Sequence, residues 1–193
     1  NNKDVSSFTR SDAVSFPRDI DYSVLPGITT FGGNGYRNTF AYGSVTMSDK
    51  RLREQWTKTI GALGTWSGTG WTGQPLIVQW PVETVAVMNV KQSFKDAAAP
   101  LTEVIYPAMD GNIYFLDLET GSATRDPINT GIVQKGTSCL DPRGYPLLFV
   151  GQGIPVNNDQ GNAAAYVRVY SLISGEQIAQ FGGFDWFARR IWQ

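Results

Sequence analysis

From Pro75 onward the chain sets short apolar runs against turn residues, at the run length of strands rather than helices. Leu76–Trp80 and Thr84–Met88, parted by Pro81, predict one hairpin. Val104–Ala108 and Asn112–Leu118 predict a second across Met109-Asp110-Gly111, because Asp and Gly both tolerate positive φ. Glu119-Thr120-Gly121 then makes a tight turn, from which Ser122–Asp126 returns as an outer strand. Leu147–Gly151 and Ala165–Leu172 predict a third hairpin, after which the chain runs on through Glu176–Phe181. Leu52–Ile60 alternates weakly around Trp56 and Lys58 and predicts another strand, ahead of a Gly-, Thr- and Trp-rich loop over Gly61–Gly73. The polar stretch Lys91–Pro100 carries a helical turn or loop at Lys95–Ala99, and no segment predicts a helix of ordinary length.

The hairpins repeat. Ile113-Tyr114-Phe115-Leu116-Asp117-Leu118-Glu119-Thr120-Gly121 recurs in pattern 54 residues later as Val167-Arg168-Val169-Tyr170-Ser171-Leu172-Ile173-Ser174-Gly175. The opening strands are offset by about 43 residues, Val104 to Leu147, and the difference sits in the loop Ile154–Ala164. A blade-sized repeat of hairpins predicts an all-β protein of four-stranded antiparallel meanders, stacked radially as propeller blades. Residues 46–193 provide about three blades of an incomplete propeller at roughly 40 to 55 residues each. Residues 1–45, broken by Pro17, Pro26 and Gly32-Gly33-Asn34-Gly35, predict an extended segment lying on that body. Its expected anchors are Phe16, Tyr22, Phe31, Tyr36, Phe40 and Tyr42.

Composition removes more chemistry than it suggests. The 193 residues contain no histidine, which excludes Ser-His-Asp and Cys-His nucleophiles and His-ligated zinc. Cys139 is the only cysteine, so neither an intrachain disulfide nor a cysteine metal cluster can form, and a buried thiol is expected. A net charge of −1, with Arg51/Arg53 and Arg189/Arg190 the only basic clusters, speaks against a nucleic-acid partner. No apolar run approaches the roughly 20 residues of a membrane-crossing helix. The start at Asn1-Asn2-Lys3 is read as trimmed, and low charge with abundant Gly, Asn and Thr suits an exported, extracytoplasmic bacterial β protein.

Several local patterns carry candidate chemistry. Gly68-Thr69-Gly70-Trp71-Thr72-Gly73 matches the dinucleotide fingerprint in letters, but a β run follows where the motif needs a helix. Gln134-Lys135-Gly136-Thr137 echoes a phosphate loop with the wrong glycine spacing. Asn157, Asn158 and Asp159 open an oxygen-rich turn through Asn162 that could hold Ca²⁺ or a ligand, though the closing Glu of a high-affinity loop is missing. Asp110, Asp117, Glu119, Asp126, Asp141 and Asp185 are the carboxylates available for acid–base work, most of them at turns that favour Asp on structural grounds. Six tryptophans suit packing between blades first; Trp66 and Trp71 in the Gly-rich loop are the expected exposed pair, where packing is weighed against stacking of a glycan or protein ligand.

The segment Ala108-Met109-Asp110-Gly111-Asn112-Ile113-Tyr114-Phe115-Leu116-Asp117-Leu118-Glu119-Thr120-Gly121 resembles a repeat of the pyrroloquinoline-quinone-type, quinoprotein-like β-propellers. Gly27–Phe31, Trp71–Leu76, Lys135–Thr137 and Asp141–Leu147 extend that likeness over residues 27–193, toward the exported quinoprotein-like propeller proteins of Firmicutes. The resemblance implies the N-terminal part of a larger propeller, whose remainder is supplied in cis or in trans. It does not carry over quinone enzymology: the vicinal cysteine pair of the dehydrogenases is absent, and no calcium-ligand set matches. The expectation is a non-catalytic exported scaffold for ligand or protein binding, with no cofactor other than calcium implied. A quinone- and calcium-dependent dehydrogenase or a glycan-active hydrolase fragment is the alternative.

Overall fold

A computed structural model describes residues 23–70, 73–152 and 165–183, together with Ser7, Thr9 and Ser11. Among the described residues the fold is all-β, with 31% strand and 7% helix, and neither principal antiparallel sheet is closed. Strands are numbered in chain order. The first sheet has the order β1-β4-β5-β6-β7, from Gly27–Ile28, Leu76–Trp80, Leu101–Pro107, Asn112–Asp117 and Ile128–Asn129. The second has the order β11-β10-β9-β8, from Gln177–Gly183, Ala165–Ser171, Leu147–Gly151 and Cys139–Leu140. A small hairpin, β2 (Ala62–Leu63) and β3 (Trp66–Ser67), stands apart, and two short helices, α1 (Val82–Val87) and α2 (Gln92–Asp96), follow β4.

Alternation along the strands explains how the sheets stack. Leu76, Val78, Leu101, Ile105, Ile113 and Phe115 point from the first sheet into one core shared with Leu140, Leu148, Val150, Tyr170 and Leu172. The alternate residues Val104, Tyr106, Tyr114 and Leu116 point the other way, where Trp56 and Ile60 cover them. A sheet buried on both faces needs apolar residues at nearly every position, hence the continuous apolar runs.

One charged pair lies inside the shared core. Glu103 and Arg125 are 0% and 3% exposed, and Arg125 Nη2 donates to both Glu103 oxygens at 2.9 and 3.0 Å. Trp80 Nε1 donates to Glu103 at 2.9 Å, and the Thr124 hydroxyl donates to the same carboxylate. Arg125 Nη1 donates to the Leu172 carbonyl at 3.1 Å, tying the first sheet to the turn after β10.

The strongest repeat feature is present in both sheets. Gly121 N–H donates to Asp117 O at 2.9 Å and Gly175 N–H to Ser171 O at 2.8 Å, with φ of +69° and +79°. The Asp110-Gly111 turn also forms, with Gly111 at φ +81° between β5 and β6.

Three predicted strands do not form. Thr84–Met88 lies in and just beyond helix α1, because β1 and β5 already occupy both edges of β4. The helix starts at Pro81, whose carbonyl accepts from Thr84 and Val85, and turns Val85 and Met88 into the core. Leu52–Ile60 has no ladder partner, because it crosses the face of the first sheet instead of adding to its edge. Ser122–Asp126 contributes only a bridge, Ala123 to Leu116, since Thr124 and Arg125 turn inward to Glu103; β7 takes the outer position. The polar stretch after Val90 does contain a helical turn, at Gln92–Asp96.

Among the described residues the segment ahead of β2 is irregular except for β1, and that irregular trace runs on to Gly61, beyond residue 45. Leu25 and Ile28 are buried, and Phe31, Tyr36 and Tyr42 of the expected anchors are half-buried. Phe40 is 58% exposed and meets Phe31 edge-on at 5.8 Å. Phe16 and Tyr22 lie outside the described residues.

Candidate functional site

The outer face of the first sheet carries a cleft of about 410 Å³. Its floor is Val104 and Tyr106 from β5 with Tyr114 and Leu116 from β6, four side chains brought together by the pairings Val104–Leu116 and Tyr106–Tyr114. Its walls are the crossing segment, through Trp56, Lys58 and Ile60, and the loop before β4, through Thr69, Gly70, Gly73 and Pro75. Such a volume suits a small organic ligand.

Both walls are fastened by hydrogen bonds. Trp56 Nε1 donates to Leu118 O at 2.9 Å, and its ring lies against Gly121, where a Cβ would come within 2.6 Å of it. Gly121 is thus fixed twice, by its positive φ and by the tryptophan stacked on it. Tyr106 donates its hydroxyl to Thr69 O at 2.6 Å, with Gly70 O at 3.2 Å. Asp110 accepts from Gly61 N–H at 3.0 Å, Asn112 N–H at 3.0 Å and the Tyr114 hydroxyl at 2.5 Å.

These contacts set the electrostatics. Burial pushes the Asp110 carboxyl up, but the donors Tyr114, Asn112 and Gly61 outweigh it and hold the group below its ordinary value. Tyr114 is raised by burial and by the hydrogen bond to Asp110, and Tyr106 is raised by burial. Both phenols are therefore neutral and already committed as donors. Lys58 supplies the only charge among the described lining residues. Its ammonium is exposed, lies 5.3 Å from the centre of the Tyr114 ring, and pairs with no carboxylate among the described residues.

The residues singled out in the sequence have separate fates. Trp66 is half-buried on β3, with Lys135 Nζ 3.8 Å above its ring and its Nε1 buried without a hydrogen-bond partner among the described residues. Trp71 lies outside the described residues, although Gly70 and Gly73 on either side of it line the cleft. Asn157, Asn158 and Asp159 also lie outside them, as do Trp186, Trp192 and Asp185. Trp80 is fully buried between the sheets.

The turn carboxylates hold backbone. Asp117 accepts from the Thr120 N–H at 2.8 Å and its hydroxyl at 2.7 Å. Asp141 binds the Arg143 guanidinium at 2.6 and 2.9 Å and its N–H at 2.9 Å. Among the described residues no three of His, Cys, Asp and Glu gather as metal ligands. The fingerprint-like glycines lead into β4, not into a helix. Thr137, of the phosphate-loop echo, is buried and accepts from the Gln74 N–H at 2.8 Å.

Thr69, Gly70 and Gly73 belong to the Gly-rich loop expected to meet a ligand, while the floor and the crossing wall were not expected. The available signal was the even-numbered set Val104, Tyr106, Tyr114 and Leu116 on one pleat face, together with Trp56 and Ile60 in a segment with nowhere else to bury them. Among the described residues no helix is long and apolar enough to cross a membrane. No protein-family model matches the chain, and no curated protein matches it significantly.

Proposed function

We propose that the chain is a non-catalytic binding scaffold, part of an exported quinoprotein-like β-propeller, and that the cleft on the outer face of the first sheet is its ligand site. The cleft carries this reading: a mostly apolar, aromatic-walled cavity of about 410 Å³ lined by Lys58, a cation that pairs with no carboxylate among the described residues. No carboxylate lines the cleft among the described residues, and its phenols are used up in holding the walls, which fits binding better than acid–base catalysis.

The propeller reading draws support from two antiparallel sheets that share one core, and from equivalent glycine returns at Gly121 and Gly175. Among the described residues β8 and β11 each have one neighbour, so further sheets in cis or in trans would complete the array. Light scattering with intact mass of every polypeptide in the preparation tests the propeller: an assembly larger than 21.2 kDa is expected, and a stable monomer of that mass counts against it. The site is tested by Thr69→Trp, which places a large ring over the cleft from an exposed position. Loss of ligand binding with an unchanged melting curve is expected.

A further inference from the structure

We infer that the cleft takes a small amphipathic anion: a ring-sized apolar body carrying a single negative charge. The inference rests on the cleft being a ligand site and names what enters it. The apolar part follows from Ile60, Val104 and Leu116, with the Trp56 and Tyr114 rings lining the same cleft. The charge follows from Lys58, whose ammonium stands over the Tyr114 ring with no carboxylate partner among the described residues.

The same geometry turns other ligands away. A sugar needs several free donors and acceptors, yet Tyr106 and Tyr114 spend their protons on Thr69 and Asp110. A cationic ligand would have to approach Lys58, and the nearby Asp110 carboxylate is 5% exposed and held by three donors. A phosphate-like dianion would meet a single ammonium, with no arginine fork among the described lining. One fixed charge beside apolar surface selects one charge on an apolar body.

Two naphthalene probes that differ by one sulfonate provide the test. 8-Anilinonaphthalene-1-sulfonate and the uncharged N-phenyl-1-naphthylamine are titrated by fluorescence into the wild-type chain, Lys58→Gln, Lys58→Arg and Thr69→Trp. The sulfonate is expected to bind more tightly than the neutral probe by roughly two- to fivefold, the range for an exposed charge pair. Lys58→Gln should erase that preference, Lys58→Arg should keep it, and added salt should shrink it. Thr69→Trp should weaken both probes. Equal binding of the two probes, or indifference to Lys58→Gln, overturns the anion inference even if Thr69→Trp still blocks both. Probe binding that ignores Thr69→Trp overturns the cleft itself.

Discussion

Arg125 leaves the first sheet to place Nη1 3.1 Å from the carbonyl oxygen of Leu172, in the turn that follows β10. The same guanidinium is bound to Glu103 and stacks 4.7 Å over the Phe115 ring, so one side chain joins the sheets and fills part of their shared core. Leu172 O also accepts from Asn89 N–H at 2.9 Å, which ties the α1–α2 connection to the same point.

A buried pair of this kind is costly to break from one side, because the remaining charge has no partner. Glu103→Gln and Arg125→Met should each lower unfolding stability by about 3–5 kcal/mol in urea titrations. The double substitution Glu103→Leu/Arg125→Met should recover part of that loss. Trp80 Nε1 and Thr124 Oγ1 would still lack the acceptor they have now, so recovery stays incomplete. A double variant no better than the sum of the singles would mean that the pair is not energetically coupled.

Gly121 and Gly175 occupy matching returns but differ in what faces them. A Cβ at Gly121 would fall 2.6 Å from the Trp56 ring, whereas one at Gly175 would meet the Asn89 amide at 2.8 Å, the movable end of a side chain. Both sites impose positive φ, at about 1–2 kcal/mol for a residue with a side chain. Gly121→Ala should therefore cost about 2–4 kcal/mol, adding the overpacking. Gly175→Ala should cost only about 1–2 kcal/mol. Gly121→Ala should also shift Trp56 emission to the red and weaken probe binding in the cleft, effects that Gly175→Ala should not produce.

These two glycines also mark how far the sequence was legible. Repeat and turn chemistry act locally, so the returns, the Asp110-Gly111 hairpin and the long strands β5, β6, β9 and β10 could be read from residue type and alternation. Helix α1 could not, since Val82–Val87 has a strand-like composition, and only the occupied edges of β4 forbid a strand there. The face-crossing path of Leu52–Ile60 was equally hidden, because one amphipathic segment can pair at an edge or cover a face. The cleft depends on that path, so it was invisible although every side chain in it was in view. Glu103 sat inside an apolar run with nothing nearby in sequence to announce Arg125, 22 positions away.

Cys139 is half-buried and should be a slow nucleophile. Burial, and then the negative charge of Asp141, push it up to about 11. At pH 8 the thiolate fraction is then on the order of a thousandth, against a sizeable fraction for an ordinary thiol near 8.5. Alkylation by iodoacetamide at pH 8 should proceed at least about a hundredfold more slowly in the folded protein than in urea. Equal rates in the two states would place the sulfur in free contact with solvent.

Asp110 contributes to the response to acid. Its folded value lies below the ordinary carboxylate value, so its contribution is fully present above about pH 4, where the unfolded chain has already ionised. It is lost as pH falls through the lower folded value, because the proton binds the unfolded chain more readily. Asp141 is lowered too, chiefly by its hydrogen bond with Arg143, so wild-type acid lability mixes the two sites. Asp110→Asn separates them. The variant should be less stable by about 1–3 kcal/mol at pH 7, since Gly61 N–H and the Tyr114 hydroxyl then face an uncharged amide. Below about pH 4 the gap between variant and wild type should close, as the wild-type carboxyl is protonated and loses the same advantage. Urea titrations at pH 7, 5, 4 and 3 give the measurement. A gap that stays constant across that range would show that the Asp110 charge does not hold the crossing segment on the sheet.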